Sequence, residues 1–138
     1  MARDKFHSAV RRGLEKEGWK ITHDPLRLEF GEDDRVEIDL GAQQVLGAQQ
    51  AGNKIAVEIK SFLSDSALLD FHLALGQFLN YRLVLETIEP ERILYLAIPL
   101  FAYESFFVRD LPRTAIQKYH VKLIVYDPKK EVIVQWQN

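Results

Sequence analysis

Two short stretches constrain this 138-residue chain more than any others: Val36-Glu37-Ile38-Asp39-Leu40 and Ile55-Ala56-Val57-Glu58-Ile59-Lys60. In each, every second position is Ile, Val or Leu, the period-two pattern of a β-strand, whose successive side chains point to opposite faces. Turn-forming residues precede both, Gly31 to Asp34 before the first and Ala51-Gly52-Asn53 before the second, so the spacing predicts a hairpin. Alternation also assigns faces. Glu37 and Asp39 share one side of the first strand, and Ala56, Glu58 and Lys60 share one side of the second. With the hairpin in register, carboxylates from neighbouring strands meet.

Around this pair the pattern predicts further elements. Phe6, Val10 and Leu14 recur every four residues, giving a helix from Asp4, a plausible cap, to Gly18, a plausible stop. Trp19, Ile21 and Leu26 suggest extended chain around the Asp24-Pro25 turn, and the first strand is expected to run on toward Gln50 with bends at Gly41 and Gly47. After Lys60, Ser64 or Asp65 can cap a long helix on which Leu68, Phe71, Leu75, Phe78, Leu79 and Leu83 follow the 3.6-residue period until Pro90. The apolar run from Arg92 to Ile98 is that of a strand covered on both faces. Two short helices, Phe101 to Phe107 and Pro112 to Tyr119, precede a closing hairpin of Val121 to Tyr126 and Glu131 to Trp136. The expected fold is one α/β domain over residues 1–138, a mixed sheet flanked by helices, with a parallel crossover through the long helix.

Composition excludes several chemistries. There is no cysteine, so disulfides, thiolate zinc sites and thiol nucleophiles are ruled out. No apolar run approaches the roughly 20 residues needed to span a bilayer, and Met-Ala-Arg-Asp-Lys is followed by no apolar leader segment, so a cytoplasmic protein is expected. Eighteen basic against twenty acidic residues leave a net charge of −2, without a global basic field to gather nucleic acid. His23, His72 and His120 lack metal-ligand spacing, Ser61 and Ser64 lack a nucleophile elbow, and the glycines form no phosphate loop. Gln43, Gln44, Gln49 and Gln50 can touch DNA, or simply form a polar strand face; Arg11, Arg12 and Lys16 make a modest basic flank.

The acid, acid-x-lysine arrangement suits phosphodiester chemistry. Two carboxylates on neighbouring strands can hold Mg²⁺ or Mn²⁺, hard cations that take oxygen ligands and keep several waters. The cation polarises a phosphate and acidifies a water, while an adjacent ammonium steadies developing negative charge. Glu-x-Lys also describes the solvated face of an ordinary amphipathic strand. The apolar Ile55, Val57 and Ile59, and a mid-chain position before a long helix, instead predict a central, partly buried strand where charges need a reason.

The segments Val36-Glu37-Ile38-Asp39, Ala56-Val57-Glu58-Ile59-Lys60 and Gly76-Gln77-Phe78-Leu79-Asn80-Tyr81 together resemble the PD-(D/E)XK nuclease core, with Ile38 where the motif's name has proline. Over nearly its whole length the chain resembles the XisH family, the cyanobacterial excision controlling factors. The likeness runs through Arg3-Asp4-Lys5-Phe6-His7, through Gly18-Trp19 and His23-Asp24-Pro25-Leu26, and through Glu58-Ile59-Lys60-Ser61-Phe62. The resemblance implies a restriction endonuclease-like fold and a role on DNA in programmed element excision, beside a site-specific recombinase and the small companion XisI. It also implies Asp39 and Glu58 as ligands of Mg²⁺ or Mn²⁺, Lys60 as the catalytic lysine, and Gln77 as a helix residue helping to hold the site. Some related resolvases carry a glutamate on the first helix, and by its distance from Gly18-Trp19 that position is His7, a supporting group or weak ligand unless it is a helix-surface histidine. Glu37 is a further candidate. So is Tyr81, which shares a helical face with Gln77; the plainer roles of the last two are a surface amide and a core aromatic.

Two functions stay open. One is a metal-dependent endonuclease; the other is a nuclease-fold accessory protein that binds partners in an excision complex without cutting. Tyr95, Leu100, Phe101, Tyr103 and Phe106 exceed what one short helix can bury; part of this cluster is expected in the core, and the rest predicts a homodimer or a docking surface for the companion.

Overall fold

The computed structural model describes residues 5–44 and 52–138. Its centre is β5 (Asn53–Ile59), between β4 (Leu40–Gln44), which is antiparallel to it, and β6 (Arg92–Pro99), which is parallel. The six-stranded mixed sheet is completed by β1 (Lys20–His23) beside β4, and by β7 (Leu123–Asp127) and β8 (Val132–Gln137) beyond β6. Four helices among the described residues flank the sheet: α1 (His7–Lys16) before β1, α2 (Ala67–Ile88) between β5 and β6, and α3 (Leu100–Ser105) with α4 (Asp110–Lys118) between β6 and β7; α3 and α4 act as one connection.

Pleat alternation sorts the sheet into two cores. Ile55, Val57 and Ile59 point to one face with Tyr95, Ala97, Ile124 and Tyr126, where Val10 and Leu14 of α1 cover them. Ala56, Leu94, Leu96, Ile98 and Leu123 point to the other, under Phe71, Ala74 and Phe78 of α2. The apolar run of β6 is therefore buried on both sides, as its composition predicts. Glu58 has the parity of Ala56 and faces the α2 layer. No helix among the described residues is long and apolar enough to cross a membrane.

The structure differs from the expected long strand between Val36 and Gln50. The chain breaks at Asp39: β3 (Asp34–Ile38) pairs with β2 (Leu26–Phe30) in a separate two-stranded sheet, and only β4 joins the main one. The reason is packing. In an unbroken strand Ile38 and Leu40 would share a face, yet Ile38 is buried in the α2-side core and Leu40 in the α1-side core. Asp39 is the pivot between them. Gly41 is not a bend but a close approach, because a Cβ there would stand 3.2 Å from an Arg92 guanidinium nitrogen and from the His23 side chain. Asp4, Gly47, Gln49 and Gln50 lie outside the described residues.

On α2 the cap is Ser66, whose hydroxyl accepts from the Leu69 N–H at 3.1 Å, just after the expected Ser64 or Asp65. Of the six apolar positions assigned to its core face, Phe71 and Phe78 are buried, but Leu68 and Leu83 are exposed. The helix is apolar nearly all round, so periodicity alone could not select one face. Part of the aromatic cluster is core: Phe106 and Phe107 are buried against Phe62 and Phe71, with ring centroids 5.3–6.0 Å apart, while Phe101 remains exposed.

Candidate active site

The β4–β5 register sets Leu40 opposite Val57 and Gly41 opposite Ala56, so the next pair outward is Asp39 and Glu58. Here the chain turns out of the sheet, and carboxylates take over the bonds of the strand ladder. The Ile59 N–H donates to Asp39 Oδ2 at 2.7 Å, and the Asp39 N–H donates to Glu58 Oε1 at 3.3 Å. Each acid is thereby oriented by the other strand. Lys60 follows directly, its N–H bonded to the Ala97 carbonyl and its own carbonyl accepting from the Tyr126 hydroxyl. Its ammonium reaches back to within 3.5 Å of Glu58 Oε2.

Glu58 is only 5% exposed. Burial, and then the negative charge of Asp39, push its pKa from 4.5 up to about 8; Lys60 pulls the other way but does not win. A hydrogen bond to the Asp39 side chain adds to the rise, so at neutral pH the Glu58 carboxyl holds its proton. The α2 helix looks down on this pair. Burial and the charges of Glu58, Asp39 and Glu37, in that order, push the Tyr81 phenol up to about 12, so it is neutral at physiological pH and feels the charge of three acids. One turn earlier on α2, Gln77 has a buried Oε1 with no hydrogen-bond partner, and Glu37 has a buried, unpartnered Oε2.

Among the described residues no three His, Asp or Glu side chains form a ready-made metal cage. The donors nevertheless fit a small hard cation, since Mg²⁺ is commonly held by one or two carboxylates and completes its shell with water. A buried Glu58 carboxyl that keeps its proton beside the Asp39 carboxylate is a place that a cation can stabilise.

The family model described as XisH protein matches residues 1–134. The chain belongs to the XisH family. It is 47% identical to the crystallised XisH family protein of Nostoc punctiforme PCC 73102, with a TM-score of 0.88 over 98% of this chain and 100% of that one. A crystallised fdxN element excision controlling factor protein of Anabaena variabilis is 48% identical, with a TM-score of 0.86 over 99% of this chain and 100% of that one. No curated protein matches.

In this XisH-family chain the residues singled out from sequence fall into three groups. Asp39, Glu58 and Lys60 come together. Glu37 and Tyr81 lie within charge range of them, with Gln77 one turn from Tyr81; Glu37 arrives from β3 in the small sheet rather than from the strand shared with Asp39, and its Oε1 pairs with Arg27 at 3.2 Å. His7 is on α1, the helix covering the opposite face. It is buried rather than on the helix surface, with Nε2 2.8 Å from Asp24 Oδ1, while Arg11 binds Asp24 Oδ2 at 2.6 Å. Sequence reasoning missed that burial. His7 and Arg11 are one turn apart on α1, which with an acid after β1 was the available signal. The basic flank is likewise engaged internally, Arg12 with Glu131 and Lys16 with the carbonyls of Lys130 and Glu131.

Proposed function

We propose that this chain is a restriction endonuclease-like, PD-(D/E)XK-type domain that cleaves DNA phosphodiesters with Mg²⁺ or Mn²⁺ during programmed excision of a DNA element. The reading rests above all on Asp39, Glu58 and Lys60 meeting at one end of the β4–β5 pair, with the Glu58 carboxyl held protonated by burial and by the charge of Asp39. In this account Asp39 and Glu58 hold the ion, and Glu58 gives up its proton as the ion binds. When bound, the cation would offset phosphate charge and acidify a water. Lys60 supplies a fixed positive charge for the negative charge that develops on the phosphate. Gln77 Oε1, an acceptor without a partner, can orient a water, and the neutral Tyr81 phenol can donate to a phosphate oxygen or a water. The excised element is suggested by the name of the similar fdxN element excision controlling factor protein, and a site-specific recombinase and an XisI-like companion are the partners we propose beside it.

The test is incubation of the purified chain, with and without the companion, on branched and linear DNA containing Mg²⁺ or Mn²⁺. Cleavage is expected from the wild type and is lost in Asp39→Asn/Glu58→Gln and in Lys60→Ala. Intact DNA under every condition overturns the catalytic reading in favour of an accessory protein that binds partners without cutting. The net charge of −2, and a histidine where related resolvases carry an acid on the first helix, favour that second reading.

A further inference from the structure

The outer face of α2 is apolar where a surface helix normally carries charge. Leu69, Leu73 and Leu83 are 65%, 59% and 54% exposed. With Gly76 and Asn80 they fall at intervals of four, three, four and three residues, which draws a single heptad-like seam along the helix. No Asp, Glu, Lys or Arg occurs between Asp70 and Arg82.

Gly76 is the midpoint of that seam. A Cβ at this position would meet nothing within 4 Å, so the chain's own packing does not require glycine, and glycine weakens a helix interior. What the missing side chain does provide is a notch through which a second helix can approach closely. The seam also reads nearly the same in both directions about Gly76: Leu69 and Leu83 each lie seven residues away, Leu73 three before and Asn80 four after. A two-fold interface needs a patch that maps onto itself, and this one does.

We propose that α2 packs antiparallel against α2 of a second copy of this chain, with the helices crossing at Gly76. Leu69 then meets Leu83 of the second copy, Leu73 meets its Asn80, and the two glycines face each other. The area decides how tight the pairing is. A helix of 22 residues is about 33 Å long and 10–12 Å across, a footprint of about 350 Å² per copy. Twice that, extended by the exposed Leu63 and Leu68 at the helix start, stays below the roughly 1,200–2,000 Å² buried by stable specific interfaces and falls in the range of weak, transient ones. The strip is one helix wide, which a second α2 fills, and the pair dissociates at low concentration. Leu73 also lines the hollow of about 190 Å³ beside Lys60, so pairing brings Asn80 of the second copy to its rim. The proposal does not depend on what that hollow does.

Sedimentation from about 1 μM to about 1 mM should show a concentration-dependent monomer–dimer equilibrium, with the midpoint in the micromolar range or above. Leu73→Glu should weaken it at least tenfold. Gly76→Ala should raise the melting temperature of the monomer yet also weaken the dimer, a split that a folding defect cannot produce. Because the chain has no cysteine, introduced thiols report alone: Gly76→Cys should oxidise to a self-linked dimer, and Leu69→Cys should link to Leu83→Cys in a mixture. A monomer throughout the range overturns the proposal and leaves the face to a different protein. Self-linking of Leu83→Cys, or a Gly76→Ala dimer as tight as the wild type, overturns the antiparallel crossing.

Discussion

Replacing Glu58 by glutamine keeps the shape and the acceptor for the Asp39 N–H but removes the titrating group. The folded chain holds this proton with a pKa near 8, against 4.5 for an ordinary glutamate, so between those values the folded state binds more protons than the unfolded one. Stability from this group is complete below pH 4.5 and falls as the pH climbs toward 8. At about 1.4 kcal/mol per pH unit the wild type loses about 3 kcal/mol by pH 7. Glu58→Gln escapes that loss, so its advantage should widen by the same amount, about 10 °C in Tm for a chain of this size. The assay is urea denaturation of both proteins in chelator, stepped from pH 4.5 to 8. Parallel stability profiles would mean that folding does not raise the Glu58 pKa, and a gap that narrows with rising pH would mean that Lys60, rather than burial and Asp39, controls the carboxyl.

Three further outcomes follow from the packing and the site. Lys60→Ala should abolish DNA cleavage while leaving divalent-ion affinity within a few fold, checked by cleavage assay and calorimetry; full activity would remove the lysine from the mechanism. Phe71→Ala, at 1% exposure, should cost about 3–5 kcal/mol in denaturant titrations, and Phe101→Ala, at 43%, far less; equal losses would contradict the assignment of the aromatic cluster to the core. Gly41→Ala should cost about 1–3 kcal/mol by crowding the Arg92 and His23 side chains, and a neutral effect in the same titration would show that these neighbours give way.

The strands that carry the site were legible because period-two patterning is local: Ile55, Val57 and Ile59 against Ala56 and Glu58 assign β5 its two faces without any knowledge of partners. The pairing of Asp39 with Glu58 was legible for the same reason, through the hairpin. The break at Asp39 was not, because the alternation of Ile38, Asp39 and Leu40 is unchanged when the backbone pivots between two sheets and sends the flanking side chains to different cores. The burial of His7 depends on Asp24, seventeen residues away, a contact that no local pattern announces. On α2, apolar residues on every side hid which face met the sheet, and the leucines assigned to the core in part became the exposed surface.

A divalent cation that takes the place of the Glu58 proton must release that proton on binding. Calorimetric titration with Mn²⁺ at pH 7, repeated in buffers of different ionisation enthalpy, counts protons released per ion bound. The account predicts one saturable ion and about one proton released by the wild type, with binding lost in Asp39→Asn/Glu58→Gln. Saturable binding with no proton release, or equal binding by the double variant, would contradict it.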